Sequence, residues 1–310
     1  MKAFALHDFD HVPEIIEIAV PEPAEGEVRV RVRAASVNGF DLAVANGYLN
    51  GVMEHTFPVV LGKDFAGEVD AIGAGVVGFE VGDRVFGVVT KATLGDGAIG
   101  EYVTVPVAVG LAKLPESIEF IAAAGLGLAG TAAVDAFDAA TITADTTVLI
   151  AGATGGVGQQ ALQLAVDAGA EIVATASSAD EIELVTKFGA AHTVDYKADV
   201  AAQIADLYPD GVDVILHFAG DVSALIPSVR QGGKLVSTLV QSPEQVPAEN
   251  VQVIPIYAAP TAATLERVAH HHDTKVTTIT VQRVYPLDEA GNAFNDFAAG
   301  TMGKLIITID

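Results

Sequence analysis

The stretch Thr147-Val-Leu-Ile-Ala-Gly-Ala-Thr-Gly-Gly-Val-Gly158, continued by Gln159-Gln-Ala-Leu-Gln-Leu-Ala-Val166, decides the fold of this chain. A short apolar run of strand type enters a glycine cluster and leaves it as an amphipathic helix. Glycines without a Cβ let the main chain approach a ligand closely. The free N–H groups and the dipole at a helix start favour negative charge, so this turn suits a diphosphate. The next predicted strand, Glu171 to Thr175, follows within the roughly 30 residues of a dinucleotide-binding βαβ unit.

Working outward, the pattern repeats. Asp180 to Phe188 is predicted as a helix, and Val212 to His217 and Lys234 to Leu239 as further strands, which calls for a doubly wound parallel sheet. Upstream lies an alanine-rich helix, Glu119 to Ala140. Before it, Glu27 to Ala34 alternates charged and apolar residues, and Gly62 to Gly87 is dense in glycine, as short strands of a small β domain with barrel-like packing require. From about Thr261 the chain predicts a helix, a strand near Val276, a helix from Leu287 to Ala299 and a last strand at Lys304 to Ile309. This tail is expected to rejoin the first domain, giving residues 1–118 with 259–310 as one domain and 119–258 as the other.

Composition excludes several classes. A net charge of −24 repels nucleic acid and anionic membrane surfaces, so neither is an expected partner. Half of the 310 residues are hydrophobic, which supports large cores. No apolar run reaches the roughly 20 residues of a membrane span, and Met1 to Val20 carries acids where a signal peptide carries bases; a cytoplasmic location is expected. The chain has no cysteine, which removes disulfides, thiolate nucleophiles and sulfur-based zinc sites. His270-His-His272 is no metal motif, because adjacent residues on a helix point in different directions.

The end of the second strand bears on the nucleotide. Sites for NAD usually hold an acid there for the ribose hydroxyls, and that acid repels the extra phosphate of NADP. Here the strand ends Ala174-Thr-Ala-Ser-Ser178, which leaves room and hydroxyl donors for a phosphate and favours NADPH. Asp180 and Glu181 stand where a cation would be welcome. Ser177 and Ser178 also suit a cap for the following helix.

Beyond the glycine turn, Val37-Asn-Gly-Phe-Asp41, Phe57-Pro-Val-Val-Leu-Gly-Lys-Asp-Phe-Ala-Gly67, Val81-Gly-Asp-Arg-Val-Phe-Gly87, Gly100-Glu-Tyr-Val103, Gly189-Ala190 with Asp195-Tyr196, Gly232-Gly-Lys234 and Gly303-Lys304 occur in order. Together they resemble the medium-chain dehydrogenase/reductase superfamily, in its zinc-independent quinone oxidoreductase branch. The resemblance implies an α/β protein: a GroES-like β-barrel domain, a Rossmann domain with a doubly wound parallel sheet, and a catalytic cleft where they meet. In zinc-dependent relatives a cysteine occupies the place of Asn38, a His-Glu pair that of Lys63-Asp64, and a second cysteine falls near Leu128. Their loss implies metal-free hydride transfer from NADPH to a quinone or an enone, with an enoyl-thioester or alkenal reductase as the alternative. A non-catalytic NADPH-binding protein of the same fold is a further alternative, since no residue is an indispensable acid or base.

The same resemblance distributes roles. Asn38 lies near the nicotinamide and the reacting carbonyl, Thr131 near the ribose or phosphates, and Tyr196 at the adenosine end. Thr154, Gly155, Gly156 and Val157 contact the diphosphate, while Phe218, Ala219, Gly220, Thr238 and Leu239 flank the nicotinamide. Two departures stand out: Ala132 where a second Thr is common, and His217 where an Asp is common. Lys63 is a candidate for stabilising a developing enolate or hydroquinone anion; its other reading is an ion pair with Asp41 or Asp64. Tyr48, after Asn46-Gly47, either orients a carbonyl and relays a proton or is a packed loop aromatic. Folds of this type pair through an edge strand, so a homodimer is expected.

Overall fold

Alternation along Glu27–Ser36 produces the central strand of the first unit: Val28, Val30 and Val32 are buried, while Arg29 and Arg33 face outward and pair with Asp70 and Glu68 on the neighbouring strand at 2.6 Å each. The computed structural model describes residues 1–246 and 248–310. In it Glu27–Ser36 runs antiparallel to Asp64–Ile72, to Tyr102–Pro106 and to Lys304–Thr308 within a seven-stranded sheet. A second sheet joins Glu14–Glu17, Lys2–Leu6 and Val59–Val60. Phe4, Leu6, Val30, Phe65, Ile99 and Ile307 belong to one buried cluster, so the last strand of the chain helps to close the core begun by the first.

The second unit holds a six-stranded sheet whose strands are all parallel, in the order His192–Val194, Glu171–Thr175, Thr147–Ala151, Val212–His217, Val229–Ser237, Gln252–Pro255. Chain order reverses between Thr147–Ala151 and Val212–His217. In open parallel sheets such a reversal leaves a crevice at the strand C-termini, where ligands bind.

The first unit comprises Met1–Leu128, Pro260–Asp273 and Ile279–Asp310, and the second Ala129–Ala259 with Thr274–Thr278. The chain thus leaves the first unit within the helix Gly127–Ala140 and not at residue 118. The expected helix Glu119 to Ala140 is two helices, Phe120–Ala123 and Gly127–Ala140. No strand forms near Val276. There the side chain of Gln163 takes the place of a ladder, accepting from the Thr278 N–H at 2.9 Å and donating to its carbonyl at 2.9 Å, and the strand forms later, at Val281–Pro286. Leu287–Glu289 is a 3₁₀ turn leading into the helix Ala290–Ala298. Among the described residues no helix is long and apolar enough to cross a membrane.

Candidate functional site

At the reversal of the parallel sheet, the strand Thr147–Ala151 ends in Gly152, whose φ of +83° is a left-handed conformation that glycine adopts without strain. Its N–H donates to Thr175 Oγ1 at 3.0 Å, which ties the turn to the end of the second strand. Gly158 brings the helix Gly156–Asp167 against the turn: a Cβ there would lie 2.1 Å from the Gly152 carbonyl oxygen. Gly155 caps that helix without any side-chain hydrogen bond, so the helix start has no anionic or hydroxyl cap of its own. Gln159 Nε2 donates to the Thr154 carbonyl at 2.7 Å and fixes the loop between. Thr154, Gly155, Gly156 and Val157 are half-buried around these amides. The buried Thr131 hydroxyl has no partner among the described residues. An uncapped helix start and an orphaned hydroxyl fit a diphosphate and its ribose.

At the ends of the next two strands, His217 is buried. Its Nε2 lies 3.1 Å from the Gly220 carbonyl, which can only accept, so Nδ1, 2.9 Å from Ser237 Oγ, is the acceptor on the other side. Ser237 Oγ in turn accepts the N–H groups of Leu239 and Val240. One neutral imidazole therefore joins Phe218–Gly220 to Thr238 and Leu239. Burial lowers its pKa, against smaller opposing effects from the Gly220 carbonyl and the Asp221 charge. The borrowed Asp at this position is replaced by a working hydrogen-bond hub.

Beyond Thr175, Ser178 accepts from the Glu181 N–H and caps the helix Ala179–Lys187, so the capping role is real. Glu181 reaches back: its Oε2 accepts from the N–H groups of Ser177 at 2.7 Å and Ser178 at 2.9 Å, and its Oε1 from the Tyr196 hydroxyl at 3.2 Å. Partial burial pushes the Glu181 carboxyl up, but those donors and the Lys197 charge outweigh it and hold the group below its ordinary value. Lys197 is the cation that reading residues 177–181 alone does not find. Its Nζ lies 5.7 Å from the Tyr196 ring centroid.

In the β unit, Asn38 sits before the helix Gly39–Ala45 with both ends of its amide engaged. Nδ2 donates to Asp64 Oδ2 at 2.9 Å, and Oδ1 accepts from Lys304 Nζ at 2.6 Å. Asp64, 0% exposed, also accepts from Ser36 Oγ and from the Leu128 N–H, and Lys304, 3% exposed, lies 3.4 Å from it. Lys304 is thus the buried partner of Asp64. The expected pairing of Lys63 with Asp64 or Asp41 does not form. Neighbouring residues entering a strand point to opposite faces, and Lys63 Nζ instead donates to the Val89 carbonyl at 2.7 Å and lies 4.7 Å from the Phe40 ring centroid. Burial lowers the Lys63 pKa, with the charges of Asp41 and Asp64 opposing it. The cavity that Lys63 lines measures about 20 Å³, room for roughly one water and not for a quinone. Tyr48 is 74% exposed in its loop. Among the described residues no three His, Asp or Glu side chains are grouped to hold a metal.

Asp41 accepts the Asn38 N–H at 2.8 Å and is buried beside this network. Burial, followed by the Asp64 charge, pushes its pKa up to about 7, against the Asn38 hydrogen bond and the two lysines. A folded pKa above the unfolded value of 3.8 means that this group's contribution is complete below about pH 4 and lost as pH rises toward 7. Asp41→Asn is therefore expected to remove a slope of up to about 1.4 kcal/mol per pH unit from the unfolding free energy over that window. Urea titrations at several pH values check it; parallel curves for the two proteins would contradict it.

A parallel nucleotide sheet with an uncapped glycine turn, carried with a β unit built from both chain ends, defines a dinucleotide-binding oxidoreductase. Two family models match: the alcohol dehydrogenase GroES-like domain over residues 24–116 and the zinc-binding dehydrogenase domain over residues 156–256. A chloroplast envelope quinone oxidoreductase homolog of Arabidopsis thaliana is 29% identical over 95% of this chain and 93% of its own. A chloroplastic quinone oxidoreductase of Triphysaria versicolor is 31% identical over 71% and 68%. An NADPH-dependent alkenal/one oxidoreductase of Arabidopsis thaliana is 33% identical over 76% of this chain and 62% of its own. Among solved structures, an NAD-dependent alcohol dehydrogenase superposes with a TM-score of 0.88 at 25% identity over 100% of both chains. A mycobacterial protein in complex with NADPH gives 0.88 at 24%, also over 100% of both. The chain belongs to the medium-chain dehydrogenase/reductase superfamily, in its quinone oxidoreductase-like branch, and its class binds a nicotinamide cofactor.

Proposed function

We propose that this chain is a zinc-free reductase that passes hydride from NADPH to a quinone or an α,β-unsaturated carbonyl. The observation that carries this reading is the uncapped helix start behind Gly155, placed at the reversal of the parallel sheet. When bound, the reduced nicotinamide supplies the hydride, and the protein binds, orients and polarises. The amides of Thr154 to Val157 hold the diphosphate, and the Thr131 hydroxyl finds in the nucleotide the partner it lacks among the described residues. Ser177, Ser178 and Tyr196 serve the adenosine end, while Phe218 to Gly220 with Thr238 and Leu239, braced by His217, flank the nicotinamide. Asn38 is locked by Lys304 and Asp64, and its second amide hydrogen polarises the substrate carbonyl. Tyr48 is the exposed hydroxyl available for proton delivery. Lys63, committed to Val89 and Phe40, acts on an anion only after leaving them. A cytoplasmic location and a homodimer paired through an edge strand of the nucleotide unit complete the reading.

Calorimetric titration with NADPH and with NADH, followed by nucleotide oxidation against quinones, enones and alkenals, tests it. Binding of NADPH with rapid oxidation by one of these electrophiles is expected, and the relative rates separate quinone from alkenal reduction. Binding without turnover would make the protein a nucleotide-binding module, and absence of binding would overturn the reading altogether.

A further inference from the structure

We propose that Glu181 is a resident anion in the seat taken by the 2′-phosphate of NADPH, and that it sets how strongly the protein prefers NADPH to NADH. The inference rests on the reductase reading above and deepens it. The seat lies past the end of the strand Glu171–Thr175, the position that distinguishes the two cofactors in doubly wound sheets. It is tied to the glycine turn through the Gly152–Thr175 hydrogen bond.

Three donors from two segments converge on one carboxylate: the N–H groups of Ser177 and Ser178 and the Tyr196 hydroxyl. Helix capping explains only part of this. A capping box needs the Ser178 N–H and the reciprocal Ser178 side chain; the Ser177 amide and the Tyr196 hydroxyl come from outside the box. The positive charge of Lys197 acts on the same carboxylate. Converging N–H and O–H donors with a cation beside them are the composition of a phosphate seat, flanked here by Asp195, which accepts from the Ser177 side chain and the Lys197 N–H. Here a side chain from one turn down the helix already fills it.

A phosphate dianion can use the same donors but cannot share them with a carboxylate at hydrogen-bond range. NADPH therefore binds only as Glu181 rotates out and gives up its three hydrogen bonds. NADH, whose ribose carries hydroxyls alone, leaves Glu181 in place as an acceptor for them. The strand-end acid absent from Ala174–Ser178 is thus supplied through space from position 181.

Glu181→Gln tests this, because glutamine keeps the shape and the capping acceptor and removes the charge. Dissociation constants for NADPH and NADH, together with those for 2′,5′-ADP and 5′-AMP as probes of the seat alone, are measured on the wild type and the variant. The ratio of NADH to NADPH constants is expected to rise about tenfold or more, with 2′,5′-ADP tightening in parallel and 5′-AMP nearly unchanged. Glu181→Ala, checked for folding by circular dichroism, should move the ratio in the same direction. A wild type that binds neither dinucleotide overturns this inference together with the reductase reading. Normal wild-type binding with an unmoved ratio in both variants overturns the Glu181 assignment alone.

Discussion

Lys304→Met is expected to destabilise the β unit by about 3–5 kcal/mol, the usual consequence of leaving one partner of a buried ion pair uncompensated. Asp64 is wholly buried and draws on Lys304, Ser36, Asn38 and the Leu128 N–H. Without the ammonium the carboxylate keeps neutral donors but loses the buried counter-charge that Lys304 supplies. Adding Asp64→Asn to Lys304→Met removes the stranded charge, so the double variant should recover a large part of the loss. Urea unfolding followed by circular dichroism gives the four corners of the cycle. If the single and double variants are equally destabilised, the effect is packing and not charge. Asn38 adds a functional readout: released from Lys304, its amide loses its fixed orientation, and turnover should fall even where the fold survives.

Gly158→Ala is the second large effect. Its Cβ would meet the Gly152 carbonyl oxygen at 2.1 Å and the Ala153 Cα at 2.7 Å, both main-chain atoms that no rotamer can move. The helix Gly156–Asp167 must back away from the turn, carrying with it the amides that hold the diphosphate. A displacement of that order at a positioning element reduces turnover about a hundredfold, and NADPH affinity and Tm should fall with it. Gly155→Ala is the control: φ is −77° there, and its Cβ would meet only the Gly152 oxygen at 3.4 Å, an ordinary contact. Its Tm should be nearly unchanged. Equal Tm losses at the two positions would mean that the close approach at Gly158 is not what the turn depends on.

The central strands of the nucleotide unit are legible in the sequence, but its edge strands, His192–Val194 and Gln252–Pro255, are not. Thr147–Ala151, Glu171–Thr175 and Val212–His217 form as read, because a run of buried apolar residues bounded by glycine is a signal carried by neighbours within a few residues. The sequence places the tail with the first domain, but the pairing of its last strand with Glu27–Ser36 is visible only in the structure. The partners of charged side chains are likewise set by the folded arrangement. Lys304 opens the last strand, and no periodicity says that it ends beside Asp64, far away in the chain. Lys63, adjacent to Asp64, faces the other way, and Glu181, readable as an ordinary capping acid, meets a tyrosine from the next strand–loop. Secondary structure depends on neighbours within a few residues, whereas a buried charge is placed by whichever counter-charge folding brings within about 3 Å of it.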